Sequence, residues 1–316
     1  MLLYNNLKER FTMLEPLKKL LKTEFEHDLF NEAINNLNSN SRIRFSSFAY
    51  VIRELIDIIL KTRANDEDVK NCIWYEEPIN TERKILRCQR IRYIVYGGFD
   101  KNIFDKIMSF DFENEINKIN KYFRDELSSH VHLNENCLNY TSKEIEQKIN
   151  NFEIIINNFL TMIDAVSNRI ITFLADKIEE IVTDEFISQT FNDLDILSTH
   201  TRVEYIGNIK IEIKRIESEK VIGTIYGNVC VSLQYGSDRD IDDGIGDIWR
   251  DSYPFKIPFY IDIEPLNSIF NDVEKEDLND SDILKREFLP IFKTTIEENL
   301  YLGINKIDIN TSSFYE

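Results

Sequence analysis

The chain has 316 residues and a mass of 37.5 kDa, which leaves room for two domains of ordinary size. A hydrophobic content of 42%, with 21 Phe and 14 Tyr, can fill substantial cores and excludes a disordered protein. The formal net charge of −18 excludes a protein that coats duplex DNA through its whole surface, because such binding needs Lys and Arg near phosphate. Any nucleic-acid site must therefore be a local basic patch.

The same composition predicts the cellular compartment and the redox state. No apolar run approaches the length that crosses a bilayer, and the start, MLLYNNLKERF, turns polar too early for a secretion signal. We therefore expect a cytoplasmic protein with no membrane partner. The cysteines are scattered without a CxxC pair, which indicates neither a zinc site nor a disulfide framework. No metal or other cofactor is expected.

The positions of glycine and proline divide the chain into two parts. No glycine occurs between Gly98 and Gly207, and no proline between Pro78 and Pro254. A region without these residues can form long helices, whereas a region rich in them turns often. We therefore predict an α+β protein, with a helical domain over residues 1–195 and a β-rich domain with a terminal helix over residues 196–316.

The first half of the helical part contains an arginine cluster. A helix with Phe48, Ile52 and Leu55 on its apolar stripe carries Arg53 and Glu54 off that stripe. A further helix from about Thr81 would place three arginines on one side and would end at Gly97-Gly98. This cluster is the densest basic group in the chain and comprises Arg83, Arg87 and Arg90. It predicts phosphate binding, unless these arginines pair with the surplus of Asp and Glu.

The second half contains the histidine motif. The next helix, over about residues 101–130, carries Arg124 near its end, with His130 and His132 at its exit. Thr141 and Glu144 have the spacing of a capping box for the element that follows. That element has an apolar stripe at steps of three and four and is either one helix of about forty residues or two helices. Such a stripe could also pair two copies of the chain into a homodimer.

From Arg202 the apolar period changes to two, which predicts strands of a small antiparallel sheet or sandwich. Gly207-Asn208 and Gly227-Asn228 are expected to be turns. Glu212 and Lys214 form an E-x-K sequence on one strand, which is typical of Mg²⁺-dependent nucleases but also of a charged, solvated strand face. The acidic segment after Gly236 is not an EF-hand, since Trp249 occupies the position where a Glu ligand is required.

The spacing of Arg124 and His130 predicts metal-independent RNA chemistry. A histidine can move the proton at the 2′-OH or at the leaving oxygen, while a guanidinium binds the phosphate and stabilises its developing charge. Five residues separate the two side chains, which resembles the Arg, four to six residues, His motif of the HEPN superfamily. That resemblance implies an all-helical domain that dimerises to bring two motifs to one cleft, and an RNase of a toxin or antiviral system.

A second resemblance covers residues 30 to 265. The segments that carry it, in order, are CIWY at 72–75, QRIRYIVYGG at 89–98, SHVH at 129–132, STHTRVE at 198–204, LQYGSDRD at 233–240 and DSYPF at 251–255. This succession is similar to a family of bacterial proteins described as predicted nucleases associated with prokaryotic PIWI-like proteins. The resemblance implies a defence context and a partner protein, and it implies that the histidine at position 130 is a fixed feature of the family.

Together these observations predict a metal-independent endoribonuclease of an antiphage defence or toxin system. In this hypothesis His130 is the general acid/base, Arg124 binds phosphate, and Glu54 or Arg53 orients them. RNA would be guided by the basic patch of Arg83, Arg87 and Arg90, with His132 also touching the substrate. Two alternatives stay open: a non-catalytic adaptor or sensor that binds a protein or nucleic acid, and a Mg²⁺-dependent DNA nuclease.

Overall fold

The computed structural model describes residues 14–79, 81–100, 111–131, 135–138, 140–189, 191–269, 289–303 and 307–312. Contacts divide the chain into two compact units, residues 1–166 and 167–316. Helices fill the first part of the chain and an antiparallel sheet follows them, so the predicted α+β class is confirmed. No helix in the described ranges has both the length and the apolar character that a membrane span requires.

The described helices that precede the sheet are α1 Glu15–Lys18, α2 Glu24–Asn38, α3 Arg44–Arg63, α4 Asp66–Lys70, α5 Arg87–Tyr96, α6 Phe112–Lys121, α7 Leu127–Ser129, α8 Ser142–Ser188 and α9 Asn192–Asp195. Within the first unit, α3 is central, since it contacts α2, α5 and α7. Its apolar stripe is buried as predicted, with Phe48, Ile52 and Leu55 nearly inaccessible to solvent.

Helix α5 begins later than the sequence pattern predicts. Residues 81–86 are not helical, so Arg83 precedes the helix and does not share a face with Arg87 and Arg90. The side chain of Gln89 sets the start, because its Oε1 accepts from the backbone N–H of Leu86 at 2.8 Å. The predicted end is confirmed: Gly97 follows the last helical residue with φ at 56°, a conformation that glycine adopts without a steric penalty.

The long apolar stripe forms one helix, α8, with 47 residues from Ser142 to Ser188. Its predicted capping box is confirmed, since Thr141 and Glu144 exchange side-chain and backbone hydrogen bonds at 2.7 to 3.3 Å. The boundary between the two units, at 166/167, falls inside this helix. The domain boundary at 195/196 stays a prediction.

Within its described residues, the second unit contains one five-stranded antiparallel sheet, with short helices between the strands. Its elements are β1 His200–Ile216, β2 Lys220–Tyr235, α10 Asp238–Asp242, β3 Asp247–Asp262, α11 Glu264–Ser268, α12 Leu289–Glu298, β4 Leu300–Leu302 and β5 Asp308–Ile309. The strand order is β1-β2-β3-β4, and β5 pairs with β3. One face is apolar and packs on α8, where Phe186 lies 4.7 Å from Phe255 of β3, measured between ring centroids. Phe173 of α8 lies 5.6 Å from Phe292 of α12, so these two helices also pack together.

The predicted turns at Gly207-Asn208 and Gly227-Asn228 are wrong, because both lie inside long strands. At the first, the register shifts between Gly207 and Lys210, and Asn208 has a φ of 55°, which is a bulge. At the second, a Cβ on Gly227 would come within 2.6 Å of the Phe255 ring, so glycine leaves room for that ring. Gly227 therefore allows a close approach of Phe255, whereas at the first position the positive φ of the bulge belongs to Asn208.

Candidate functional site

The side chain of His130 lies half-buried at the end of α7, between α3 and α8. Its Nδ1 is 3.1 Å from the hydroxyl of Tyr140, and its Nε2 is 3.3 Å from the Nζ of Lys148. The ring of Phe45 packs against the imidazole edge to face, with 5.1 Å between ring centroids. Both polar atoms of the ring are therefore engaged, and one face is apolar.

These contacts define the protonation state of the imidazole. An ammonium group has only donors, so Nε2 must accept from Lys148 and the ring proton lies on Nδ1, which donates to Tyr140. Burial lowers the pKa of His130 below its usual 6.5, the positive charge of Lys148 lowers it further, and Glu126 opposes both. The imidazole is therefore neutral near pH 7 and has a basic nitrogen in contact with a cation.

Tyr140 and Lys148 are the two residues of this site that the sequence analysis missed. The capping box at Thr141 and Glu144 fixes where α8 begins, and this places Tyr140 just before the helix and Lys148 two turns into it. Lys148 also lies over the Tyr140 ring, with Nζ 5.2 Å from the centroid. The sequence signal for these two residues was the predicted capping box, since a helix that starts twelve residues after His130 can fold back on it.

Arg124 lies on a single π-helical turn, Tyr122–Glu126, between α6 and α7. Such turns are rare and occur frequently at functional sites. The guanidinium is 64% exposed and pairs with its neighbour Asp125, with Nε–Oδ1 at 2.6 Å and Nη2–Oδ2 at 2.9 Å. The structure thus places an accessible, carboxylate-bound arginine one short helix before His130, and does not show it in contact with the imidazole.

The predicted orienting residues bind each other. The Nη2 of Arg53 donates to Oε1 of Glu54 at 2.7 Å, and Arg53 also lies over the ring of Tyr50. Glu54 is nine residues after Phe45 on α3, which is about 13 Å along the helix axis at 1.5 Å per residue. Neither residue is among the described contacts of His130, so their role stays a prediction. His132 lies outside the described residues.

The three arginines of the basic cluster meet around one cavity, although only two of them are on α5. The cavity has a volume of about 310 Å³ and an apolar floor formed by Leu60 and Ile85. Its charged lining comprises Lys61, Arg83, Lys84, Arg87 and Arg90, with Asp57 and Asp66. Five cations and two carboxylates leave a formal charge of +3 on the lining.

Two of these arginines are fixed by carboxylates. The Nε and Nη2 atoms of Arg87 lie 3.0 and 2.8 Å from Oδ1 of Asp57. Arg90 is mostly buried, with its Nη2 2.5 Å from Oδ1 of Asp66 and its Nη1 against the carbonyl of Ala64. Within the described ranges, Lys61, Arg83 and Lys84 form no ion pair, and all three are exposed. The net positive charge therefore belongs to solvent-facing groups.

The carboxylates considered for a metal site have other partners. Glu212 pairs with Lys214 on β1 at 2.7 Å, and this hydrogen bond lowers the pKa of the carboxyl. In the acidic segment, Ser237 is the N-cap of α10, and the Asp240 carboxylate accepts from its backbone N–H. Asp247 accepts from the indole of Trp249. Across the described ranges, no group of three or more His, Cys, Asp or Glu side chains is placed to hold a metal ion.

The fold and these sites define an α+β protein with a neutral, cation-contacting histidine and a separate basic cavity in its helical unit. Residues 18–154 match one family model and residues 163–281 match a second, both described as predicted pPIWI-associating nuclease. The chain belongs to this family, which confirms the resemblance to nucleases associated with PIWI-like proteins, while the resemblance to the HEPN superfamily stays a prediction. No curated protein and no solved structure matches the chain. The two models meet between residues 154 and 163, close to the boundary between the two compact units.

Proposed function

We propose that the protein is a metal-independent endoribonuclease and that His130 is its general base. The observation that carries this proposal is the half-buried imidazole, held neutral against Lys148 and Tyr140, with the exposed Arg124 on the π-helical turn before it. A neutral imidazole near pH 7 can accept a proton, and cations beside it can stabilise a phosphorane. The family description supports a nuclease, and the choice of RNA rests on this site.

In the proposed reaction the 2′-OH of the substrate displaces Lys148 from Nε2 of His130. The imidazole takes the 2′-OH proton as the 2′-oxygen bonds to phosphorus. The bond from phosphorus to the 5′-oxygen breaks, and that oxygen takes a proton from solvent. Arg124 exchanges Asp125 for a phosphate oxygen, and Lys148, displaced but adjacent, is the second cation. The products are a 2′,3′-cyclic phosphate and a 5′-hydroxyl, and DNA, which lacks the 2′-OH, is not cleaved.

The test is cleavage of labelled RNA and DNA of one sequence, with EDTA or with Mg²⁺. We expect RNA cleavage in EDTA that yields cyclic phosphate ends and disappears in His130→Ala. His27→Ala is the matched control, because His27 is an exposed histidine on α2, and it should cleave at the rate of the unmodified protein. Cleavage that needs Mg²⁺ and persists in His130→Ala would contradict the mechanism and direct attention to Glu212.

A second candidate function is a non-catalytic adaptor that binds a pPIWI protein. It is favoured by the pairing of Arg124 with Asp125, which leaves the guanidinium neutralised in the absence of substrate. The family description, which names association with pPIWI, fits it as well. Its test is co-expression with a pPIWI protein followed by size-exclusion chromatography. Co-elution without cleavage of RNA or DNA, under either metal condition, would favour the adaptor over the nuclease.

In either role we propose a defence context, as the resemblance implies, and a homodimer that brings two copies of the Arg124–His130 motif to one cleft. Analytical ultracentrifugation tests the dimer. A monomer at assay concentration that still cleaves RNA would remove the dimer from the mechanism, while leaving the role of His130 unaffected.

A further inference from the structure

The basic cavity on α3 and α5 is a second site in the helical unit, distant from His130. Phe45, which packs on His130, and Leu60, which forms the cavity floor, are fifteen residues apart on α3. At 1.5 Å per residue this separation is about 22 Å along the helix axis. A group bound in the cavity therefore cannot be the phosphate that reacts at His130.

The chemistry of the lining specifies the ligand. Asp57 and Asp66 hold Arg87 and Arg90 in fixed positions, and a guanidinium with five N–H donors has others to offer. The Arg90 guanidinium lowers the pKa of the Asp66 carboxyl, so this carboxylate stays charged and the pair stays formed near neutral pH. Lys61, Arg83 and Lys84 then supply exposed cations that form no ion pair within the described residues. The lining therefore favours an anionic ligand.

The charge and the volume together favour a terminal phosphate. A phosphodiester inside a strand carries one negative charge, whereas a terminal phosphate carries about −1.5 to −2 at pH 7 and has three acceptor oxygens. The lining charge of +3 suits the terminal group better. Ligand cavities usually measure about 300 to 1,000 Å³. A cavity of about 310 Å³ therefore accommodates one small ligand, and not several nucleotides of an RNA strand. The apolar floor of Leu60 and Ile85 can contact a base or sugar.

We propose that this cavity binds the terminal phosphate of a nucleotide, either free or at the end of an RNA strand. The inference rests on the proposed nuclease function for the nature of the strand, while binding itself does not require cleavage. In this arrangement the cavity holds one end of the substrate and His130 acts on a phosphate farther along. Loss of the cavity should therefore raise KM for phosphorylated RNA and leave kcat nearly unchanged.

The test measures binding by fluorescence anisotropy in EDTA, with His130→Ala protein so that the probe stays intact. The probe is a short fluorescein-labelled RNA with a 5′-phosphate, with a 3′-phosphate or with hydroxyls at both ends. We expect one phosphorylated form to bind at least about tenfold more tightly than the hydroxyl form, as for one or two charge-assisted hydrogen bonds. Competition by ATP would identify a free nucleotide as the source, and failure of ATP to compete would identify the strand end.

The decisive variant is Arg83→Glu, because Arg83 is exposed and has no ion pair among the described residues, so its replacement should leave the fold intact. It should abolish the preference for the phosphorylated probe, and Arg83→Gln should reduce it. The matched control is Arg239→Glu, an 89% exposed arginine on α10 with the same change of charge, which should retain the preference. The melting temperature of each variant checks the fold.

Two results would overturn the proposal. One is equal binding of all three RNA forms together with no binding of ATP. The other is a preference for the phosphorylated probe that persists in Arg83→Glu. Both are independent of cleavage, since the assay uses His130→Ala protein. If the unmodified protein cleaves RNA but the binding assay shows no preference for a phosphorylated end, the proposed nuclease function stands and the proposed phosphate site does not. If the preference is present but no RNA is cleaved, the phosphate site stands and the nuclease function does not.

Discussion

At the scale of single residues, the contact between Lys148 and His130 determines how the candidate site responds to pH. Burial and the Lys148 charge both lower the pKa of the imidazole, and only the first of these remains if the lysine becomes apolar. A protonated His130 cannot accept the 2′-OH proton. Activity should therefore rise with pH through the pKa of His130, and this rise should lie below 6.5 in the unmodified protein.

The first prediction concerns Lys148→Met. Because the cation that disfavours the imidazolium is gone, the pKa of His130 should rise, and the acid limb of the pH–rate profile should move to higher pH. NMR titration of the imidazole C2–H signals measures this directly, with the exposed His27 as the internal reference. An unchanged or lower pKa for His130 in the variant would contradict the contact seen here.

The residues of this site could be predicted from the sequence only in part. His130 and Arg124 have a recognisable spacing, and the capping box at Thr141 marks the start of the next helix. Tyr140 and Lys148 could not be assigned, because their approach to His130 depends on the path of the connecting chain, which has no periodic pattern. The position of Arg83 could not be predicted for the same reason. The sequence pattern predicts it on a helix, whereas in the structure it reaches the cavity from the segment before that helix.

At the scale of elements, glycines inside β2 set how closely the aromatic rings of β3 can approach. A Cβ at Gly227 would meet the Phe255 ring at 2.6 to 2.8 Å, whereas a Cβ at Gly207 on β1 would meet only the Tyr205 ring at an ordinary 3.7 Å. Phe255 is buried and also contacts Phe186, so it has little freedom to move away. Comparing alanine at Gly227 with alanine at Gly207 therefore separates the free-energy cost of overpacking from the general effect of an alanine in a strand.

The second prediction follows from this difference. Gly227→Ala should lower the free energy of unfolding by about 1–3 kcal/mol, the usual cost of overpacking a core. Gly207→Ala should change it by less than about 0.5 kcal/mol, as for a substitution outside the core. Urea denaturation followed by circular dichroism measures both values. Equal stability of the two variants would mean that the Phe255 ring yields without cost.

The helices and strands also show which structural features the pattern of apolar residues can predict and which it cannot. The apolar stripe of α8 and the period-two strands were recognisable, since burial of one face imposes these periods directly. The dipeptides at Gly207 and Gly227 were interpreted as turns because Gly-Asn is common in them. Whether such a glycine ends a strand or sits under an aromatic ring depends on a partner strand far along the chain, here Phe255, which local sequence does not reveal.

At the scale of the whole molecule, the strongly acidic chain limits how nucleic acid can bind. With −18 overall and three unpaired cations around the described cavity, only a few phosphates can be neutralised. Long-range repulsion by the rest of the surface weakens with added salt, which further reduces the apparent salt sensitivity.

The third prediction is therefore a shallow salt dependence of RNA binding. One terminal phosphate in the cavity and one phosphodiester at Arg124 and Lys148 together carry about three negative charges. The slope of log K against log salt should therefore be about −2 for a single strand. Arg83→Glu should reduce the magnitude of this slope by about 0.7, and Arg239→Glu should not change it. Anisotropy titrations over a range of KCl concentrations give the slopes. A slope steeper than about −5 would indicate a larger basic surface than the cavity provides.

The fourth prediction concerns where the chain can be cut. The second half of α8 carries Phe173, Leu174 and Phe186, which are buried in the second unit, two of them against Phe292 and Phe255. A fragment of residues 1–195 would expose these side chains, whereas one of residues 1–166 would not contain them. The longer fragment should therefore bind the dye ANS and exchange amide hydrogens rapidly over residues 167–188. Protection of this segment without dye binding would support the boundary at 195/196.

Strand β1 has a consequence for how the protein behaves at high concentration. It is an edge of the described sheet, 17 residues long, and no described strand pairs with its outer side. A long, flat edge of this kind invites a second chain to add a strand and begin a fibril. Three register shifts interrupt β1, and Lys210, Glu212 and Lys214 place charges along it. The bulges and charges together make the strand a poor template for its own copies, so we expect β1 to resist edge-to-edge aggregation.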